Sequence, residues 1–102
     1  MPVWYRVASV AELPVGGAME CLAGDRIVAI FNVGGAIHAL DGVCPHQGGP
    51  LGKGTLAGAI VTCPWHGWQF NVKTGQHCLN PRIEHRTFPV QVRGDEVFVD
   101  VE

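Results

Sequence analysis

The sequence predicts an all-β, antiparallel domain, and three observations carry that expectation. Fourteen glycines and seven prolines break the chain into short runs. Those runs are rich in Val and Ile, the β-branched residues that pack well on a pleated surface. Nowhere is an apolar period of 3.6 sustained long enough for a sizeable amphipathic helix. With 102 residues there is room for one modest core, so residues 1–102 are expected to form a single domain.

Val3 to Ala8 reads as a first strand, and Ser9-Val10-Ala11-Glu12 has the pattern of a capping box, allowing one helical turn before Pro14 and Gly16-Gly17 stop it. Ile27 to Asn32 and Ala36 to Leu40 are apolar runs flanking Val33-Gly34-Gly35, the pattern of a hairpin. Thr55-Leu56 and Ala59 to Thr62 read as short strands, as does Trp68-Gln69-Phe70 before a turn at Lys73-Thr74-Gly75. Near the C-terminus Val90 and Val92 alternate with polar residues, Arg93-Gly94-Asp95 turns, and Val97, Val99 and Val101 alternate again, predicting a hairpin with one buried face.

Bulk properties exclude several classes of function. A formal net charge of −2 with scattered Lys and Arg leaves no basic footprint for nucleic acid or an anionic membrane surface. No charged start followed by an apolar run marks a secretory leader, and no 18 consecutive apolar residues occur, so a soluble cytoplasmic protein is expected. In that reducing compartment the four cysteines point to metal binding or free thiols rather than disulfides.

The chemistry-bearing pattern is Cys44-Pro-His46, sixteen intervening residues, then Cys63-Pro-Trp-His66. Each short cassette sits between strand-like runs, beside a proline that fixes backbone direction and near glycines that let backbone approach closely. Cys44, His46, Cys63 and His66 can therefore converge on one metal centre. Structural zinc sites usually take two ligands of one kind from each segment, whereas here each cassette supplies one thiol and one imidazole. That mixture suits a two-iron, two-sulfide cluster with both thiolates on one iron and both imidazoles on the other. Two ferric ions and two sulfides carry +2, so four thiolates leave −2, while two thiolates and two neutral imidazoles leave zero. An uncharged centre accepts an electron more readily. A structural zinc site remains the alternative and would be colourless.

Residues Cys44 to Gly67 resemble the Rieske [2Fe–2S] cluster-binding signature, and within that family the chain is most similar to the ferredoxins that serve bacterial ring-hydroxylating dioxygenases. The resemblance implies a Rieske fold, an antiparallel β-sandwich-like core capped by a small cluster-binding subdomain at about residues 44–70. It implies that Cys44 and Cys63 hold the inner iron, and His46 and His66 the outer one near the surface. Respiratory-complex relatives add a cysteine to each tip, forming a disulfide, at places that here correspond to Gly49 and Trp65. They also carry a serine and a tyrosine that donate hydrogen bonds to cluster sulfurs, at places that here correspond to Trp68 and Phe70. Such bonds stabilise the reduced cluster, so their loss implies a potential in the lower part of the Rieske range of about −150 to +300 mV.

Other residues take plainer readings. Cys21 and Cys78 read as buried structural thiols rather than a redox pair, and His38, His77 and His85 as ordinary structural or surface residues. Trp68 reads as core. Gly48, Gly49, Gly52 and Gly54 lack the Lys-Ser/Thr ending of a phosphate loop and serve instead to let backbone wrap a cluster. No catalytic residue is expected: a Cys–His nucleophile needs one activated thiol with an orienting group, not two matched cassettes.

The resemblance thus implies an electron carrier rather than an enzyme. An NAD(P)H-oxidising flavin reductase would supply its electron and a terminal oxygenase would take it. Docking would use the end bearing His46 and His66, with Gln47, Pro64 and Trp65 as rim, and a monomer with transient partners is expected. The alternative is a permanently held small subunit of a reductase complex such as assimilatory nitrite reductase.

Overall fold

The computed structural model describes residues 2–44, 48–65 and 67–101. Along the chain, β1 (Trp4–Ser9) runs into one 3-10 turn at Val10–Glu12, and β2 (Ala18–Ala23), β3 (Arg26–Val33) and β4 (Ala36–Asp41) follow as hairpins. A second 3-10 turn at Leu51–Lys53 precedes three short strands, β5 (Thr55–Ala57), β6 (Ile60–Thr62) and β7 (Gln69–Asn71). β8 (Thr87–Phe88), β9 (Val90–Arg93) and β10 (Glu96–Asp100) come last. They form three sheets, ordered β1-β10-β9, β2-β3-β4-β8 and β5-β6-β7, and the ladders are antiparallel.

The four-stranded sheet is the middle layer, because its central strand is buried on both faces. Side chains alternate between faces along a strand. Val28 and Ile30 of β3 join a buried cluster with Ala8, Leu13, Phe88 and Val99, while Ala29 and Phe31 join another with Leu40, Leu51, Val61, Phe70 and Val72. A doubly covered strand needs apolar residues at successive positions, hence the unbroken Val28-Ala29-Ile30-Phe31. The β1-β10-β9 sheet covers one face and the small β5-β6-β7 sheet the other. At the β3–β4 turn Val33 pairs with Ala36, leaving Gly34 and Gly35 at φ +60° and +101°, the two positive values a tight two-residue hairpin turn requires. Buried Asn32 braces that turn: its Nδ2 donates to the Leu13 carbonyl (2.9 Å) and its Oδ1 accepts from the Gly35 amide (2.8 Å).

The expected strands and hairpins are present with end shifts of a residue or so, and the Ser9–Glu12 pair forms. The Glu12 carboxylate accepts from the Ser9 amide (2.9 Å) and hydroxyl (3.0 Å), and these two bonds hold its pKa below the ordinary value. Two strands were not expected. β2 shows no in-out alternation, since it is the edge of the middle sheet and the Leu51–Lys53 turn lies so close that a Cβ on Gly52 would come within 2.8 Å of the Met19 and Glu20 backbone. β8 is only two residues long. In the C-terminal hairpin Val97 and Val99 are fully buried, but Val92 is 49% exposed: β9 is an edge strand and packs on the core at its Val90 end. Among the described residues no helix is long and apolar enough to cross a membrane.

Candidate metal centre

Two loops of matched construction carry the cysteines. In the first, the Cys44 amide donates to the Gly49 carbonyl (2.8 Å), and an isolated bridge between Val43 and Pro50 closes its base. In the second, between β6 and β7, the Cys63 amide donates to the Trp68 carbonyl (2.8 Å). Each cysteine is thus bonded to the carbonyl five residues on, which closes the base of each loop tip. The Gly48 amide tightens the first tip by donating to the Cys44 carbonyl (3.0 Å).

The tips face one another. A Cβ placed on Gly49 would lie 2.7 Å from Cys63 Sγ and 3.0 Å from both Cβ and Cγ of Trp65, so the bare backbone of the first tip rests on the second. Cys44 and Cys63 are each 1% exposed and share the buried cluster of Phe31, Leu40, Val61 and Phe70. Neither thiol is disulfide-bonded, nor are the other two. Two buried sulfurs on apposed, water-excluding loops are a donor set that fits the inner iron of an iron–sulfur cluster. His46 and His66, the imidazole half, lie outside the described residues, as does Gln47 of the expected rim.

The remaining expected residues fall close to their sequence readings. Pro64 is exposed, and Trp65 is 49% exposed while lying over Gly49, an apolar edge beside the thiol. Gly49 and Trp65, the places where the respiratory relatives carry the tip cysteines, face one another here without a thiol on either. Trp68 is half-buried, tilted against Phe70 at 6.3 Å between ring centroids. Phe70 is fully buried and offers no hydroxyl.

One reading needs correction, that of Cys78. Cys21 is a structural thiol, its Sγ donating to the Val28 carbonyl (3.5 Å), with burial and then the Glu20 charge pushing its pKa up to about 11. Cys78 is exposed instead of buried, because its amide is used to pair with the Gln69 carbonyl (2.9 Å) at the start of a surface loop. Of the two roles expected for His77, structural or surface, the structure gives the first: it is buried at 8% exposure and packs edge-to-face with Trp68 and Phe70. Its Nδ1 accepts from the Leu79 and Asn80 amides at 3.1 and 3.2 Å. The sequence signal was available in His77 preceding Asn80-Pro81, a pattern that favours a side-chain-braced turn. His85 Nε2 lies 2.7 Å from the Asp41 carbonyl, tying the end of this segment to β4.

An all-β domain with paired thiol-bearing tips fastened into its core defines a class, that of iron–sulfur proteins whose ligands come from two loops. The chain belongs to the Rieske [2Fe–2S] domain family, whose model matches residues 3–94, and its cofactor is a Rieske-type [2Fe–2S] cluster. It is 36% identical over 94 residues to the 3-phenylpropionate/cinnamic acid dioxygenase ferredoxin subunit of Escherichia coli (strain K12), covering 90% of this chain and 88% of that one. Against the naphthalene 1,2-dioxygenase system ferredoxin component of Pseudomonas aeruginosa it is 29% identical over 99 residues, covering 96% and 95%. Among solved structures, a chain in the complex of reduced oxygenase and oxidized ferredoxin in carbazole 1,9a-dioxygenase superposes with a TM-score of 0.87 at 31% identity, covering 98% and 94%. An NADH-dependent nitrite reductase small subunit from Mycobacterium tuberculosis gives the same TM-score at 24% identity over 98% and 96%, a likeness of fold.

Proposed function

We propose that this protein is a one-electron carrier that passes electrons to the terminal oxygenase of a ring-hydroxylating dioxygenase system, as its ferredoxin component rather than as an enzyme in its own right. A flavin-containing, NAD(P)H-oxidising reductase supplies the electron, and the carrier works in the cytoplasm as a monomer that docks transiently. Residues 1–102 act as one Rieske domain, with about 44–70 as the cluster-binding part. The observation that carries the reading is the apposition of the two tips: the Gly49 backbone lies against Cys63, and both Cys44 and Cys63 are buried in one cluster.

The bound cluster supplies the reversible one-electron step. Cys44 and Cys63 would hold the inner iron, with the amide–carbonyl bonds across each tip fixing their backbones. His46 and His66 would hold the outer iron. Trp65, covering Gly49, keeps water from the Cys63 side, and with Gln47 and Pro64 forms the rim that meets partners. Contact there must be weak, because a carrier has to leave quickly.

Relatives named as dioxygenase ferredoxin components, aligned over most of their own length, support this reading over the nitrite reductase subunit, for which the likeness is one of fold. Purified protein should contain two irons and two acid-labile sulfides per chain and absorb visible light. That absorption should bleach with NAD(P)H and a dioxygenase reductase, then recover on adding oxygenase, substrate and oxygen. Zinc in place of iron, or elution in a stable stoichiometric complex with a reductase, would overturn the proposal.

A further inference from the structure

Leu79 is a large apolar side chain held out in water at 89% exposure, in a loop whose backbone is firmly fixed. Buried His77 does the fixing: Nδ1 accepts the Leu79 and Asn80 amides, while the His77 amide donates to the Ile83 carbonyl (2.9 Å) and the Ile83 amide to the Asn80 carbonyl (2.9 Å). His77 is itself clamped edge-to-face at 4.6 Å from Trp68 and 5.3 Å from Phe70, on the strand that leaves the second cluster tip. The loop is therefore tied to the thiol-bearing hairpin and presents Leu79 in one arrangement. Beside it opens a pocket of about 460 Å³, with Trp68, Leu79 and Ile83 as apolar walls and Gly67, Gln69 and Asn80 among its other residues.

We propose that Leu79 and this pocket form the anchor on which the terminal oxygenase seats an apolar side chain. The proposal rests on the carrier reading and deepens it by extending the docking face from the tips to the loop after His77. Three observations favour that occupant. The pocket begins at Gly67, the residue next to His66, so whatever fills it sits beside the proposed exit of the electron. An apolar group on a backbone already fixed in the free protein spends less entropy on binding, and such groups ringed by polar residues dominate binding energy at interfaces. The matched chain at 31% identity comes from a complex of an oxygenase with its ferredoxin. One anchor of this kind, without a broad apolar face, gives the modest affinity a shuttle needs.

The test uses the intact, cluster-loaded protein reduced with dithionite and mixed with the terminal oxygenases of the naphthalene, phenylpropionate and carbazole systems. Reoxidation of wild type is compared with that of Leu79→Asp, Leu79→Ser and, as a control on another exposed apolar residue, Leu22→Ser on β2. With the oxygenase that wild type reduces fastest, both Leu79 variants should need about tenfold more carrier for half-maximal rate, the loss of one hot-spot side chain. Iron content, visible spectrum and midpoint potential should be unchanged, and Leu22→Ser should behave as wild type. Leu79 variants that saturate the oxygenase like wild type, or a Leu22→Ser loss of the same size, would overturn the anchor while leaving the carrier reading intact. Failure of wild type to reduce any of the three would bring down the carrier-to-oxygenase reading, and the anchor with it.

Discussion

Gly49→Ala should strip the protein of its cluster while leaving the polypeptide folded. The added Cβ would sit 2.7 Å from Cys63 Sγ and 3.0 Å from Trp65 Cβ, whereas ordinary contacts begin near 3.4 Å. The sulfur must therefore retreat by 3.4 − 2.7 = 0.7 Å, or the second tip must shift as a unit. Gly49 has no positive φ, so the effect is purely one of space. Overpacking of this kind costs about 1–3 kcal/mol, which a folded domain survives. A ligand constellation tolerates displacement of only about 0.5 Å, so metal loading is the more sensitive readout. Gly48→Ala is the matched comparison: its Cβ would meet only Val43 Cγ1 at 3.7 Å, but its φ is +73°, so it bears a backbone cost of about 1–2 kcal/mol with no push on sulfur. Iron and acid-labile sulfide per chain, visible absorption and a chemical denaturation curve should be measured for both. The expected result is less than half the wild-type iron in Gly49→Ala and near-full loading in Gly48→Ala. Full loading of Gly49→Ala with an unaltered spectrum would show that the tips do not meet as described.

The remaining predictions are smaller in scope. Potentiometric titration should give a midpoint below zero, in the lower part of the range of about −150 to +300 mV, because buried Phe70 offers no hydroxyl; a clearly positive value would contradict that. Asn32→Ala should lower the unfolding free energy by about 2 kcal/mol, since the Leu13 carbonyl and Gly35 amide both lose a buried partner; an unchanged denaturation midpoint would count against it. His38 has its pKa lowered by burial first and the Lys73 charge second, and its Nε2 is buried without a partner. The unfolded chain therefore takes up a proton more readily than the folded one, and stability should drop as pH falls through about 6.5 and below. His38→Gln should flatten that part of the stability profile, measured as wild type minus variant between pH 7.5 and 5.5, and parallel profiles would refute the assignment.

What could be read from the sequence was what repeats locally. The Gly34-Gly35 turn and the alternating Val97 and Val99 are written in adjacent residues, as are the two cysteine cassettes. The residues that escaped reading depend on packing from a distance. β2 is covered by a turn some thirty residues later, Val92 is exposed on the edge strand β9, and the choice between a structural and a surface His77 is made by Trp68 and Phe70 closing around it. The apposition of the tips is likewise a long-range fact: the motif names candidate ligands, but only the fold puts the backbone of Gly49 against Cys63.

That both thiols lie in one close-packed interior with Phe31 and Leu40 of the middle sheet also bears on speed. Electrons hop fastest between centres whose surroundings barely rearrange when the charge changes, and a dense hydrocarbon interior resists such rearrangement. The apolar filling around the sulfurs, aromatic as well as aliphatic, would thus act as a stiff mounting for a redox part. A methyl group trimmed from Val61, which is fully buried, would then alter the tempo of electron delivery as well as the melting temperature.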